Sequence, residues 1–218
     1  MAILLSDPRV LEIPVRENGE PLVRLDASFG PARALVRMAL ADRLIVARDD
    51  LPSTVGFRVV EGVRSAAAQL AIVARYSAEL SAARPGIGTV ELHRLCSRFV
   101  APIEVAPHVA GAGVDLTLVD AQGNDLDLGT PIDATPEQSG GRCYLAAGGL
   151  SPQVRANRAL LAQVLGRAGL VNYPSEWWHW SYGDRYWALM TGAPAAMYGS
   201  VDEPAALYGP TDSSEPAA

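Results

Sequence analysis

The chain has 218 residues, 49% hydrophobic and 19% charged, a balance that supports one folded domain and excludes an intrinsically disordered chain. Its net charge of −6 argues against a nucleic-acid partner, and no apolar run is long enough to span a bilayer, so no membrane partner is expected either. All eighteen cations are arginine, which removes Schiff-base and phosphate-loop lysine chemistry from consideration.

In chain order, the first ten residues lack a basic region, and Ser6-Asp7-Pro8 interrupts their apolar stretch. A secretory signal is therefore not expected, and the expected location is cytoplasmic. Residues 10–15 read as a short strand, Asn18-Gly19 as a turn and residues 22–25 as a second extended piece. Val36, Leu40, Leu44 and Ala47 fall on one stripe and predict a helix over residues 32–48. Residues 57–60 predict a strand broken by Gly62, and Ala66, Leu70, Val73 and Leu80 mark a second helix ending before Pro85-Gly86. Residues 113–119 form the next strand, followed by a turn at Gln122-Gly123-Asn124 and a long loop over residues 129–149. A third helix spans residues 152–168 with Gly169 as its stop, and residues 177–180 predict a strand paired with residues 186–190. Helices and strands mix without a βαβ repeat, which gives an α+β class.

One domain is expected over residues 1–192 and a tail over residues 193–218. Within that tail Ala195-Ala196-Met197-Tyr198-Gly199 recurs as Ala205-Ala206-Leu207-Tyr208-Gly209. It reads as disordered, or as an arm docked on its own domain or on a neighbouring subunit of a homo-oligomer.

Cys96 and Cys143 lie outside any C-x-x-C pattern and read as reduced, part-buried thiols. His93, in a His-x-x-Cys pair with Cys96, lacks a second pair to complete a zinc site and reads as a surface or core residue. The other two histidines are more informative. Gly111 and Gly113 permit a tight bend after His108, so its imidazole can fold back toward Asp115, an acid flanked by the apolar Val114 and Leu116. A buried carboxylate of this kind needs a hydrogen bond, a charge partner or a metal. His179 lies in Ser175-Glu176-Trp177-Trp178-His179-Trp180, and all four tryptophans fall between 177 and 187, which suggests an indole wall excluding water from a site. His108, Asp115 and His179 would suit a catalytic zinc with an open fourth position, with Glu176 as the carboxylate that takes a proton from water. The same histidines could instead be hydrogen-bonded core residues.

Three segments, in order, resemble the D-alanyl-D-alanine dipeptidases of the vancomycin-resistance type. They are Glu61-Gly62-Val63-Arg64, the His-x-x-Gly-x-Gly-x-Asp from His108 to Asp115, and Glu176-Trp177-Trp178-His179. The likeness extends to Asp115-Leu116-Thr117-Leu118, Gly129-Thr130-Pro131-Ile132-Asp133 and Asn157-Arg158-Ala159-Leu160-Leu161. It implies one Zn(2+) per chain held by His108, Asp115 and His179, with Glu176 as general base. It also implies Arg64 as the arginine stabilising the tetrahedral intermediate and Asp133 near the substrate amine. The implied fold is a small zinc-peptidase fold with an antiparallel sheet flanked by helices, and the implied substrate is a short D-amino-acid-containing dipeptide. The family serine two residues before the histidine is Ala106 here, the family alanine is Gly113, and the family tyrosine before the arginine is Val63. These departures touch the substrate pocket, so another small peptide or amide is the alternative substrate, and a non-catalytic zinc-binding module the alternative class.

Overall fold

The computed structural model describes residues 3–201. Asp7 caps the first helix, Pro8–Glu12 (α1), by accepting the Arg9 amide at 3.0 Å, and Pro8 sits in the first turn where its missing N–H costs nothing. The strand expected over residues 10–15 is therefore a helix in its first half. Its apolar pattern resolves into one buried residue, Val10.

Leu22–Arg24 (β1) pairs antiparallel with Leu35–Arg37 (β2), and the helix expected from residue 32 begins only at Met38–Asp49 (α2). Arg33 has a φ of 47°, so the chain turns rather than coils after Pro31. All four stripe residues are fully buried nonetheless, Val36 from the ribbon and the rest from α2.

The remaining elements are Val55–Glu61 (β3), Ala66–Ala83 (α3), Thr89–Cys96 (α4), Gly113–Asp120 (β4), Pro136–Ser139 (α5), Pro152–Arg167 (α6), Val171–Asn172 (β5), His179–Ser181 (β6) and Arg185–Thr191 (α7). α3 has the expected extent, but its buried residues are Gln69, Tyr76 and Leu80, while Leu70 is half exposed. α4 carries His93 and Cys96; both cysteines of the chain are free and buried. Residues 186–190, expected as a strand, are helical because the Asp184 carboxylate accepts the Tyr186 and Trp187 amides and caps α7.

The main sheet has the order β3-β4-β6-β5 with every pair antiparallel. α2 and α6 contribute Leu40, Leu44, Leu161 and Leu165 to the principal core, where they meet Phe57, Val114, Leu116 and Leu118 from the sheet. Two smaller clusters lie apart from this core. One joins Leu5, Val105, Ala106, Tyr173 and Tyr186, and the other joins Tyr76, Leu80, Leu95 and Val100. The α+β class read from the sequence is the class of this antiparallel sheet with its flanking helices.

Beyond residue 193, Ala196 bridges Val15 in parallel, and its amide donates to Pro14 O at 2.9 Å. The Tyr198 ring is buried and lies under the Arg37 guanidinium at 5.0 Å, with its hydroxyl bonded to Glu20. The second copy of the repeat, residues 205–209, lies outside the described residues. Among the described residues no helix is long and apolar enough to cross a membrane.

Candidate metal and catalytic site

Successive side chains of a strand face opposite ways, so Val114 and Leu116 enter the core while Asp115 points to the other face of β4. The register sets Asp115 directly opposite His179, the first residue of β6. His108 reaches them through a compact turn. Gly111 N donates to His108 O at 3.1 Å, and the amides of Ala112 and Gly113 both donate to Pro107 O. Gly111 has a φ of +69°, and a β-carbon there would meet Leu22 Cδ2 at 2.7 Å, so this bend requires glycine.

Three donor atoms converge as a result. His179 Nδ1 lies 2.9 Å from Asp115 Oδ1, and His108 Nε2 lies 3.0 Å from His179 Nδ1 and 3.4 Å from Asp115 Oδ1. His108 Nδ1 is 2.7 Å from the Gly62 carbonyl. A carbonyl only accepts, so Nδ1 carries a proton, and in the neutral imidazole the Nε2 lone pair faces the cluster. Burial would raise the Asp115 pKa, but the two imidazoles outweigh it and hold the carboxyl well below its usual range. Burial would lower that of His108, and the Asp115 charge reverses the shift.

The donor set fits a zinc ion. Tetrahedral ligand atoms about 2.0–2.1 Å from zinc are roughly 3.3 Å from each other, close to the spacing of these three. Five carboxylates (Glu61, Glu79, Asp115, Asp133 and Glu176) and only two guanidiniums line the same pocket, a surplus of negative charge that favours a cation.

Glu176 lies in the turn before β6, buried, and its Oε1 has no hydrogen-bond partner within the protein. Burial first, and then the charges of Asp115 and Asp133, raise its pKa well above the ordinary 4.5. Arg64 lines the pocket too. Its Nε donates to Glu61 Oε1 at 2.8 Å, Nη2 donates to Glu61 Oε2, and Nη1 donates to Gln69 Oε1 at 2.8 Å. Gln69 in turn donates to Ala101 O at 2.8 Å, so the guanidinium is fixed on three sides. Burial opposes its charge, and Glu61 more than restores it, raising the pKa. Asp133 sits at the exposed rim with a φ of +64°, and partial desolvation together with the Asp115 and Glu61 charges raises its pKa.

These six residues share one cavity of about 660 Å³ with Ala106, Tyr76, Thr135, Gln138 and Tyr173. The expected indole wall is not there. Trp177, Trp178 and Trp180 belong to the principal core, and none of the four tryptophans lines the cavity. Trp178 and Trp180 alternate with His179 along the chain and so face away from it. Glu61 and Gln69 are the residues that sequence reasoning passed over. Glu61 precedes Arg64 by three outside any helix, a spacing that fixes no common face, and Gln69 meets the arginine only once α3 is packed.

The D-ala-D-ala dipeptidase family matches residues 32–193 of the sequence. The chain belongs to that family. The resemblance drawn from the three segments is thereby borne out. A D-alanyl-D-alanine dipeptidase of Synechocystis is 35% identical over 94 residues, which cover 40% of this chain and 38% of that protein. One from Escherichia coli is 39% identical over 72 residues, covering 33% of this chain and 35% of that protein. The matched stretches thus span little more than a third of either relative. The structure of VanYB in complex with D-alanine-D-alanine aligns at 16% identity and a TM-score of 0.46, over 85% of this chain and 94% of that one.

Proposed function

We propose that the chain is a zinc-dependent dipeptidase acting on short D-amino-acid-containing dipeptides such as D-alanyl-D-alanine. The observation that carries this reading is the convergence of His108, Asp115 and His179 donor atoms, all within 4.8 Å of one another, beside a buried Glu176 oxygen that no protein group occupies. Family membership and the dipeptidase relatives support the substrate class. His108, Asp115 and His179 would hold the zinc, which when bound supplies a Lewis acid to polarise an amide carbonyl and acidify water.

The chain's own residues account for the rest. Glu176 takes a proton at its carboxylate from the attacking water and returns it to the leaving amine nitrogen. Arg64, immobilised by Glu61 and Gln69, holds the negative charge that grows on the substrate carbonyl oxygen. Preorganisation matters here, because a guanidinium already in place needs no rearrangement as charge develops. Asp133 at the rim pairs with the free ammonium of the substrate and so marks the end of a short peptide.

The size of the cavity favours a second reading within the same chemistry. Two alanines fill only about 200 Å³ at interior packing density. The cavity of about 660 Å³ therefore admits another small peptide or amide. Assaying the zinc-loaded protein against D,D-, L,D- and L,L-dipeptides beside longer peptides separates these. Fastest cleavage of D,D-dipeptides supports the first reading, and cleavage confined to other peptides replaces it with the second. No cleavage of any of these peptides, nor of small amides added to the same panel, contradicts both.

A further inference from the structure

The loop from residue 172 to residue 179 joins β5 to β6 and carries both Glu176 and His179. Its backbone folds on itself. Tyr173 N donates to His179 O at 3.1 Å, Glu176 N to Tyr173 O at 2.9 Å, and His179 N to Glu176 O at 3.3 Å. A side chain completes this closure. Asn172 Nδ2 donates to Glu176 O at 2.8 Å and to His179 O at 2.9 Å. One amide nitrogen therefore ties the main chain of the glutamate to the main chain of the histidine three residues on.

This tie matters because of what the glutamate lacks. Glu176 Oε1 is buried without a protein hydrogen bond, so no partner grips the carboxylate at that tip. Its position follows from its backbone, which is held by this loop closure together with the bonds from Trp177 N to Cys143 O at 2.9 Å and from Leu145 N to Pro174 O at 3.1 Å. β5 offers little further support, since it is two residues long and pairs only Val171 with Ser181 and Asn172 with Trp180.

We propose that Asn172 is a positioning residue which, by clamping the carbonyls of Glu176 and His179, sets the glutamate carboxylate at its working distance from the cluster of His108, Asp115 and His179. The inference rests on Glu176 being the proton acceptor. Asn172 touches neither the reacting atoms nor the donor atoms, and its effect passes through the main chain of Glu176. Misplacement of a reacting group by about 1 Å costs on the order of a hundredfold in rate.

The test uses the full chain loaded with metal, comparing Asn172→Ala and Asn172→Asp with the parent in two backgrounds, native and Glu176→Gln. In the native background kcat for the preferred dipeptide should fall by roughly ten- to a hundredfold, with KM changed by less than about threefold. The absorption spectrum of the cobalt(II)-substituted protein should stay as in the parent, because the antiparallel pairing of His179 with Asp115 holds the histidine independently of Asn172. In the Glu176→Gln background the same substitutions should cost less than about threefold, since the group they position is already disabled. Equal losses in both backgrounds would overturn the proposal and leave Asn172 a merely structural residue. A kcat loss that arrives with an altered cobalt spectrum would overturn it too, by placing the effect at the metal. A parent protein that binds cobalt yet cleaves no peptide would contradict the proposed function itself, and the base role with it.

Discussion

The two faces of the central sheet use one strand for opposite purposes. On one face Val114, Leu116 and Leu118 are fully buried against α2, α6 and the tryptophans. On the other, Asp115 meets His108 and His179 in a cavity lined by acids, with no buried residue of the principal core among its walls. The period of two along β4 and β6 separates these roles by a single residue. A substitution on the apolar face should cost stability with little effect on chemistry, and one on the polar face should cost chemistry and metal first.

The largest effect should follow removal of a donor. His108→Ala or Asp115→Asn should abolish stoichiometric zinc and hydrolysis together, checked by metal analysis after reconstitution. Undiminished zinc in His108→Ala would dissolve the distinction between the faces. Next in size is Arg64→Ala, which should lower kcat by about a hundred- to a thousandfold while zinc stays bound, as measured by steady-state kinetics. Asp133→Ala should act more mildly and more selectively. N-acetylating the preferred dipeptide should weaken cleavage by the parent, and the variant should no longer distinguish acetylated from free substrate.

On the apolar face, Leu161→Ala in α6 should cost about 2–5 kcal/mol of stability, read by denaturant unfolding, with kcat unchanged at temperatures where the chain is folded. The smallest effect sharpens the comparison from the polar side. Glu176 has a folded-state pKa raised above its ordinary 4.5, so its ionised form is a burden on the folded metal-free chain. Its contribution to stability is fully present below the unfolded value and is lost as pH rises through the folded value. Glu176→Gln should therefore raise the Tm of chelated protein at pH 8 by about 2–4 °C for each kcal/mol relieved. That gain should shrink as pH falls and vanish below about 4.5, the ordinary value, in a series of melts.

How much of this was legible in the sequence follows the same division. The candidate donors drew notice because histidine occurs only three times, but residue type alone left a hydrogen-bonded core reading open, and it was the order of the three family-like segments that singled out His108, Asp115 and His179. The helix over residues 152–167 was legible for a local reason, since it starts at Pro152 and the chain turns at Gly169, whose φ is +86°. What failed depended on contacts between distant segments. Gln69 is a polar residue in the buried stripe of α3 because it bridges Arg64 and Ala101, which no hydrophobic period reveals. The aromatic Tyr186-Trp187 pair biased α7 towards a strand, although Asp184, three residues before Trp187, was a helix cap in plain view. The expected indole wall conflicts with the strand's period of two. In a strand, Trp178 and Trp180 cannot share a face with His179.

In the proposed function the cluster of His108, Asp115 and His179 holds a zinc ion whose hydrolytic chemistry runs through Glu176. The most direct test is a paired determination on Glu176→Gln, zinc content by metal analysis and turnover of the preferred dipeptide on the same sample. One zinc per chain is expected, as in the parent, with turnover lowered by about a hundred- to ten-thousandfold. Near-normal turnover with zinc in place would contradict it.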